Sequence, residues 1–190
     1  MSEGTAVLKS TVRSLDAQPP LPRDRFIVAD QPDEEAIPMD VVFVGGGPGG
    51  LAGAIELARL VKEDNENGGG IGEIEIAVLE KAGQLGEHNL SGAVVNPSAF
   101  KELFPDLPMD DLPLRRPVTK EAVYVMTESK SYRIPTPPTM KNHGNWIGSI
   151  SEIVRWLGEQ AEGMGVNVFP GFPVDSLLVE GDNEIGRAHV

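Results

Sequence analysis

The sequence predicts an α/β fold, a βαβ unit on a parallel sheet that an α+β insertion interrupts, and three observations carry the prediction. A short apolar run, Val41 to Val44, leads directly into the turn Gly45, Gly46, Gly47, Pro48, Gly49, Gly50. Behind the turn, Leu51, Ala54, Ile55, Ala58 and Val61 recur at helical spacing. A second apolar run, Ile74, Ile76, Val78 and Leu79, ends in the acid Glu80. Strand, glycine turn, helix and strand in this order form the Rossmann-like arrangement that binds nucleotides.

Each element has its own reason. The first run is continuous rather than alternating, as expected of a strand buried on both faces. In the turn, Gly45, Gly47 and Gly50 fit the spacing G-x-G-x-x-G. The first glycine permits the tight turn, the second lets backbone approach a pyrophosphate, and the third lets helix pack on strand. The phosphates are expected on the helix N-terminus, where unpaired N–H groups and the positive end of the dipole meet their charge. No lysine is therefore required in the turn. Pro48 suits the first helical position, having no N–H to leave unpaired. The helix is expected to give way to a surface loop over 62–72, rich in Asp, Glu, Asn and Gly. Glu80, at the tip of the second strand, is expected to accept hydrogen bonds from both adenosine ribose hydroxyls and to repel a 2′-phosphate, which argues against NADP. Its separation from the turn exceeds the usual one, and the loop 62–72 accounts for the excess.

Downstream, a Gly-rich loop is expected over 81–92, a short helix over 97–104, and a proline-punctuated stretch through 117. Two runs, 122–126 and 132–134, suit a hairpin. Ser149 and Glu152 stand three apart, as in a capping box, ahead of Ile153, Val154, Leu157 and Ala161 on one helical face. Gly163 and Gly165 are expected to end that helix. Strands over 166–169 and 174–179 then return the chain to the first sheet. Residues 1–38, with Pro19, Pro20, Pro22 and the acids Asp33, Glu34 and Glu35, show no period and are expected to be an irregular leader. Residues 39–184 are assigned to the N-terminal part of the dinucleotide-binding domain, with 85–148 as the insertion.

Composition excludes several classes of function. The formal net charge of −13 opposes binding to a phosphate backbone, so no nucleic-acid partner is expected. With no cysteine, the chain offers no disulfide, no thiol nucleophile and no thiolates for an iron-sulfur cluster. Three histidines without ligand spacing, His88, His143 and His189, give no metal site. No signal peptide, transit peptide or membrane-spanning run is read, which places the chain in a bacterial-type cytoplasm.

Six blocks, in order, carry a family resemblance: Gly45 to Leu51 (GGGPGGL), Val78 to Lys81 (VLEK), Gly86 to Ala93 (GEHNLSGA), Lys101 to Asp106 (KELFPD), Asn142 to Trp146 (NHGNW) and Val154 to Gly165 (VRWLGEQAEGMG). Together they resemble the N-terminal part of the electron-transfer-flavoprotein:ubiquinone oxidoreductase family, over about 40–171. The first two blocks are common to many flavoproteins and the last four are more specific. The resemblance implies FAD as cofactor, electron transfer flavoprotein as donor, a [4Fe-4S] cluster outside this chain, and ubiquinone as acceptor. It implies monotopic attachment to a membrane surface, on the cytoplasmic side of a bacterial-type inner membrane. Phosphate contacts fall on Gly45, Gly47, Pro48, Gly49 and Gly50, the ribose contact on Glu80 with Lys81 beside it, and flavin-side contacts on Leu90, Ser91 and Gly92. His143 to Asn145 are expected near the quinone and flavin. No catalytic acid, base or nucleophile is assigned. The resemblance also implies a membrane-dipping surface from the apolar residues of 100–114, against which stands their ordinary use as cover for the core. Two departures are visible: Ser149 stands where the family has an arginine near the cofactor, and Gly49 where it usually has alanine.

Two other readings remain open: another FAD-dependent oxidoreductase of the same superfamily, of geranylgeranyl reductase or aromatic hydroxylase type, and a nucleotide-binding module without redox activity. Residues 185–190, Ile-Gly-Arg-Ala-His-Val, are what a common sequencing-library adapter encodes. The fold is accordingly expected to be C-terminally truncated near Glu184, and the chain alone to be inactive.

Overall fold

The computed structural model describes residues 27–29, 36–180 and 183–186. The expected leader lies largely outside them, except that Ile27–Val28 forms a two-residue strand, β1, inside the segment expected to be irregular.

The expected βαβ unit is present. Strand β2 (Val41–Val44) runs through the glycine turn into helix α1 (Pro48–Glu66), which returns the chain to β3 (Ile76–Glu80). The helix continues five residues into the expected loop 62–72, its exposed last turns joined by Arg59 to Glu63 and by Lys62 to Glu66. After β3 come β4 (Ala93–Val95), α2 (Ser98–Leu103), β5 (Leu114–Pro117), β6 (Val123–Met126), β7 (Ser131–Ile134) and β8 (Trp146–Gly148). Helix α3 (Ile150–Gly163) then leads to β9 (Asn167–Pro170), and β10 (Leu177–Glu180) and β11 (Asn183–Gly186) follow.

Strands β2, β3 and β9 make a parallel sheet with β3 in the middle, in the register Val41↔Ile76 and Ala77↔Asn167. Both crossovers place their helices on one face, where α1 and α3 pack against each other. Leu51, Ile55, Val78 and Val154 are fully buried between helices and sheet. Each contributes about 1.5–3 kcal/mol by burial.

The sheet position corrects one expectation. Strand β2 is not buried on both faces, because it is an edge strand whose side chains alternate: Phe43 packs against the core, while Val42 and Val44 are 39% and 63% exposed. Central β3 is the strand with apolar side chains buried throughout. The chain returns to this sheet through β9, at the expected strand 166–169, but the second expected strand does not: β10 pairs with β1 and β11 in a separate small sheet. Two residues of the adapter-like tail, Ile185 and Gly186, lie in β11, and the others fall outside the described residues.

The insertion holds the expected hairpin β6–β7, paired from Val123↔Ile134 to Met126↔Ser131. It also holds an antiparallel sheet that no sequence period announced, in the order β4-β8-β5. A bulge interrupts the β5–β8 register between Leu114 and Arg116, leaving Arg115 as the extra residue. The apolar side chains of 100–114 pack inward: Phe100 and Leu112 are buried, and Leu103, Phe104, Leu107, Met109 and Leu114 lie against the core. Phe104 meets Trp156 edge-on at 5.0 Å between ring centroids. These side chains therefore cover the core, the ordinary use set against a membrane-dipping surface.

Candidate functional site

The C-terminal edge of the parallel sheet collects the glycine turn, Glu80, the loop after β3 and the start of α3. Crevices at this edge are where open α/β sheets bind ligands.

Backbone dominates the glycine turn. Gly47 caps α1 and Pro48 opens it, with no acidic side chain in the first turn. The first amide of the helix to find a partner along it is that of Leu51, bonded to the Gly47 carbonyl at 3.1 Å. The N–H groups of Gly49 and Gly50 are thus left at the helix end. A Cβ built on Gly45, Gly47 or Gly49 would meet nothing within 4 Å, so the backbone lies open on the ligand side. That bare cradle fits a pyrophosphate. Gly50 is different: its Cβ would collide with the Gly45 carbonyl oxygen, so glycine here closes the turn. Gly53 adds a second close approach of helix to strand, since its Cβ would lie 2.8 Å from Phe43 Cε1.

Glu80 is more than a strand-end acid. Its Oε2 accepts a hydrogen bond from the Gly46 N–H and its Oε1 one from the Ala82 N–H, both at 2.8 Å. The carboxylate thereby ties the glycine turn to the segment leaving β3, and each oxygen keeps acceptor capacity for a further donor. The loop beyond β3 is anchored in turn to α3. Ser151 Oγ donates to the Asn89 carbonyl at 2.9 Å. Gly86, at φ +80, sits so close that a Cβ there would lie 2.5 Å from the Ser151 carbonyl oxygen.

Lys81 is exposed beside Glu80, and Leu90 is 84% exposed on the same loop. Ser91 and Gly92 line a cavity of about 290 Å³ together with Arg115, Ile147, Gly148 and Ser149. His143 is not part of it. It is exposed next to Val118 to Glu121, in a segment held by the Asn142 N–H on Glu121 Oε2 at 2.6 Å and the Val118 N–H on the Asn145 carbonyl at 2.8 Å. His88 is exposed. Ser149 is the N-cap of α3 but makes no side-chain cap bond, and Glu152 pairs with Arg115 at 2.7 Å, so the expected capping box does not form. Arg115 is a cavity residue that no sequence spacing singles out, whereas Ser149 drew notice only as a helix cap and as a departure from the family. Among the described residues, no group of His, Asp and Glu side chains is arranged to hold a metal ion.

No family model matches the chain. Among curated relatives, it is 42% identical over 156 residues to the mitochondrial electron transfer flavoprotein-ubiquinone oxidoreductase of Dictyostelium discoideum, covering 81% of this chain and 25% of that protein. To the rat protein of the same name it is 43% identical over 148 residues, covering 77% and 23%. To the probable electron transfer flavoprotein-ubiquinone oxidoreductase of Acinetobacter baylyi it is 40% identical over 157 residues, covering 80% and 27%. The fold is similar to that of a geranylgeranyl bacteriochlorophyll reductase-like protein from Thermoplasma acidophilum, at TM-score 0.53 and 18% identity over 79% of this chain and 34% of that one. It is similar as well to CtdE solved with FAD and a substrate, at TM-score 0.50 and 16% identity over 80% and 34%. The chain is therefore a relative, over about four fifths of its own length, of the electron transfer flavoprotein-ubiquinone oxidoreductases, and spans about a quarter of the length of those curated proteins.

Proposed function

We propose that this chain is the cofactor-gripping part of an FAD-dependent oxidoreductase that takes electrons from reduced electron transfer flavoprotein and delivers them to ubiquinone. The observation that carries the proposal is the pairing of a bare glycine cradle with Glu80 at one sheet edge, in a sequence related to proteins of that activity. Gly45, Gly47, Pro48, Gly49 and Gly50 would hold the pyrophosphate on the amides of α1, neutralised by the helix dipole. Glu80 would accept the ribose hydroxyls on the lone pairs its backbone donors leave free, and Lys81 would add positive charge beside it. Leu90, Ser91 and Gly92 would flank the flavin. FAD, when bound, supplies the acceptance and release of electrons.

In this proposal, 39–184 forms the N-terminal part of the FAD domain, with 85–148 as the insertion and 185–190 as adapter-derived sequence. The [4Fe-4S] cluster belongs to sequence outside this cysteine-free chain. Attachment in this proposal is to the surface of an inner membrane on its cytoplasmic side. Since 100–114 packs inward, the apolar groups offered to a surface are those of the β6–β7 hairpin, where Tyr124, Val125, Met126 and Tyr132 are all at least half exposed.

The test is spectroscopic. The chain extended to the length of its relatives should purify yellow, with a flavin band that bleaches on adding reduced electron transfer flavoprotein and recovers with ubiquinone. A flavin that electron transfer flavoprotein leaves oxidised would support another oxidoreductase of the superfamily, and a colourless ADP-binding product a module without redox activity. Either result overturns the proposal.

A further inference from the structure

The far end of α1 holds two asparagines in different states. Asn65 is clamped: its Oδ1 accepts a hydrogen bond from the Gly72 N–H at 3.0 Å, and its Nδ2 donates to the Gly72 carbonyl at 2.8 Å. No such clamp holds Asn67, the exposed C-cap of the helix. It is also the only asparagine in the sequence that precedes a glycine, and Gly69 and Gly70 follow. A Cβ built on Gly68 or Gly70 would meet nothing within 4 Å, so this stretch is open to solvent and free of side chains that would crowd its backbone. Asparagine is thermally labile in such a setting, because the backbone nitrogen of the next residue is one ring closure away from its side-chain carbonyl carbon. Two features hold the groups apart in the folded chain. Asn67 has ψ at 7°, which turns the Gly68 nitrogen away from Cγ, and the Gly68 N–H donates to the Asn65 carbonyl at 3.3 Å. That bond is long, and the three glycines lower the resistance to rotation. Local opening is easiest at an exposed helix end of this kind.

We propose that Asn67 is a site of spontaneous covalent modification, converted through a cyclic succinimide to a mixture of aspartate and isoaspartate. The Gly68 N–H gives its proton to hydroxide, and the nitrogen attacks Asn67 Cγ. The new C–N bond closes a five-membered ring, the bond from Cγ to Nδ2 breaks, and Nδ2 leaves as ammonia. Water then opens the ring at either carbonyl. Opening at Cγ restores the backbone and leaves aspartate; opening at the backbone carbonyl leaves isoaspartate. Overall, water is consumed and ammonia released, with no oxidant, reductant or cofactor. Either product places a negative charge at the C-terminal end of α1, close in sequence to Glu63 and Glu66, where the helix dipole is already negative. Isoaspartate also routes the main chain through the side chain. The added methylene displaces the bonds of the Gly68 N–H to the Asn65 carbonyl and of the Gly69 N–H to the Asp64 carbonyl, so the last turn of α1 frays.

The experiment incubates the 190-residue chain in mildly alkaline buffer and follows it by intact mass and by peptide mapping. The mass should rise by the difference between a hydroxyl and an amino group, at a rate proportional to hydroxide. Fragment ions should place the change at residue 67 and leave the clamped Asn65 intact. The same peptide should become a substrate for isoaspartyl methyltransferase, which reports the isoaspartate fraction separately from the aspartate. Asn67→Ser removes the reacting amide at an exposed position, so the fold is not threatened, and both signals should be lost. An unchanged mass, a gain that maps to another asparagine, or a gain that persists in Asn67→Ser overturns the proposal.

Discussion

Helices α1 and α3 both begin at the C-terminal edge of the parallel sheet, and they present their N-termini in opposite styles. The start of α1 is stripped of side chains: Gly47, Pro48, Gly49 and Gly50 offer backbone alone, held by a carboxylate that reaches over from β3. The start of α3 is furnished, with a buried serine, a first-turn acid and an arginine arriving from a bulge in another sheet. A bare end lets a bulky pyrophosphate lie directly on the amides. A furnished end covers its amides with side chains, and its arginine is already paired with Glu152. One edge thus carries one helix start left bare and one covered by side chains.

The largest expected effect falls on the bare end. Gly50→Ala drives a Cβ into the Gly45 carbonyl oxygen, and the turn must open to relieve it. Nucleotide affinity should fall by more than about a hundredfold, roughly 3 kcal/mol, as read by calorimetric titration with ADP. Unchanged affinity would break the assignment of the cradle to α1.

Next comes the contact that seats the loop after β3 on the start of α3. Gly86→Ala combines an unfavourable φ with a clash against the Ser151 backbone, and should cost about 2 kcal/mol in denaturant unfolding. It should also shift the amides at the start of α3 while leaving ADP affinity within about threefold of wild type, since the glycine turn is untouched. Equal damage at both ends would mean that they are a single unit.

Glu80→Ala should have a smaller effect on stability. It leaves the Gly46 and Ala82 N–H groups without their acceptor, a loss of about 1–2 kcal/mol. ADP affinity should drop about tenfold or more, with the missing ribose contact added to a looser turn.

The least effect is expected far from either end, on the exposed face of α1. Arg59 donates to Glu56 at 2.9 Å, and this hydrogen bond holds the Glu56 carboxyl below the usual carboxylate range. A depressed folded pKa means that any stabilisation is present above the unfolded value and is lost as pH falls through the folded one. Because the pair is solvent-exposed, Arg59→Ala should leave the thermal midpoint nearly unchanged at neutral pH, and what small difference exists should vanish in acid.

The two helix starts also differ in how far the sequence announces them. The glycine turn is contiguous, and a motif made of missing side chains stands out as a spacing. Gly45, Gly47 and Gly50, the helix behind them and the strand ending at Glu80 were all legible for that reason. So was the β6–β7 hairpin, from its two short runs. The antiparallel sheet was not, because Ala93–Val95, Leu114–Pro117 and Trp146–Gly148 are too short to show a period. The cavity draws on 91–92, 115 and 147–149, three segments that only this sheet brings together. The Ser149 and Glu152 spacing misled for a physical reason: Glu152 had a stronger partner in Arg115 than the backbone N–H of a cap. The continuous run Val41 to Val44 misled in another way, since burial depends on a strand's place in the sheet, and β2 lies at an edge.

The central claim is that the bare start of α1 and Glu80 together hold an adenine dinucleotide unphosphorylated at the ribose. A competition titration tests it most directly, with FAD bound to the chain and displaced by ADP or by ADP carrying a 2′-phosphate. ADP should displace FAD, and the 2′-phosphorylated form should be weaker by about a hundredfold, because its charge meets the Glu80 carboxylate. Equal displacement by the two, or FAD binding that ADP does not touch, would contradict the account.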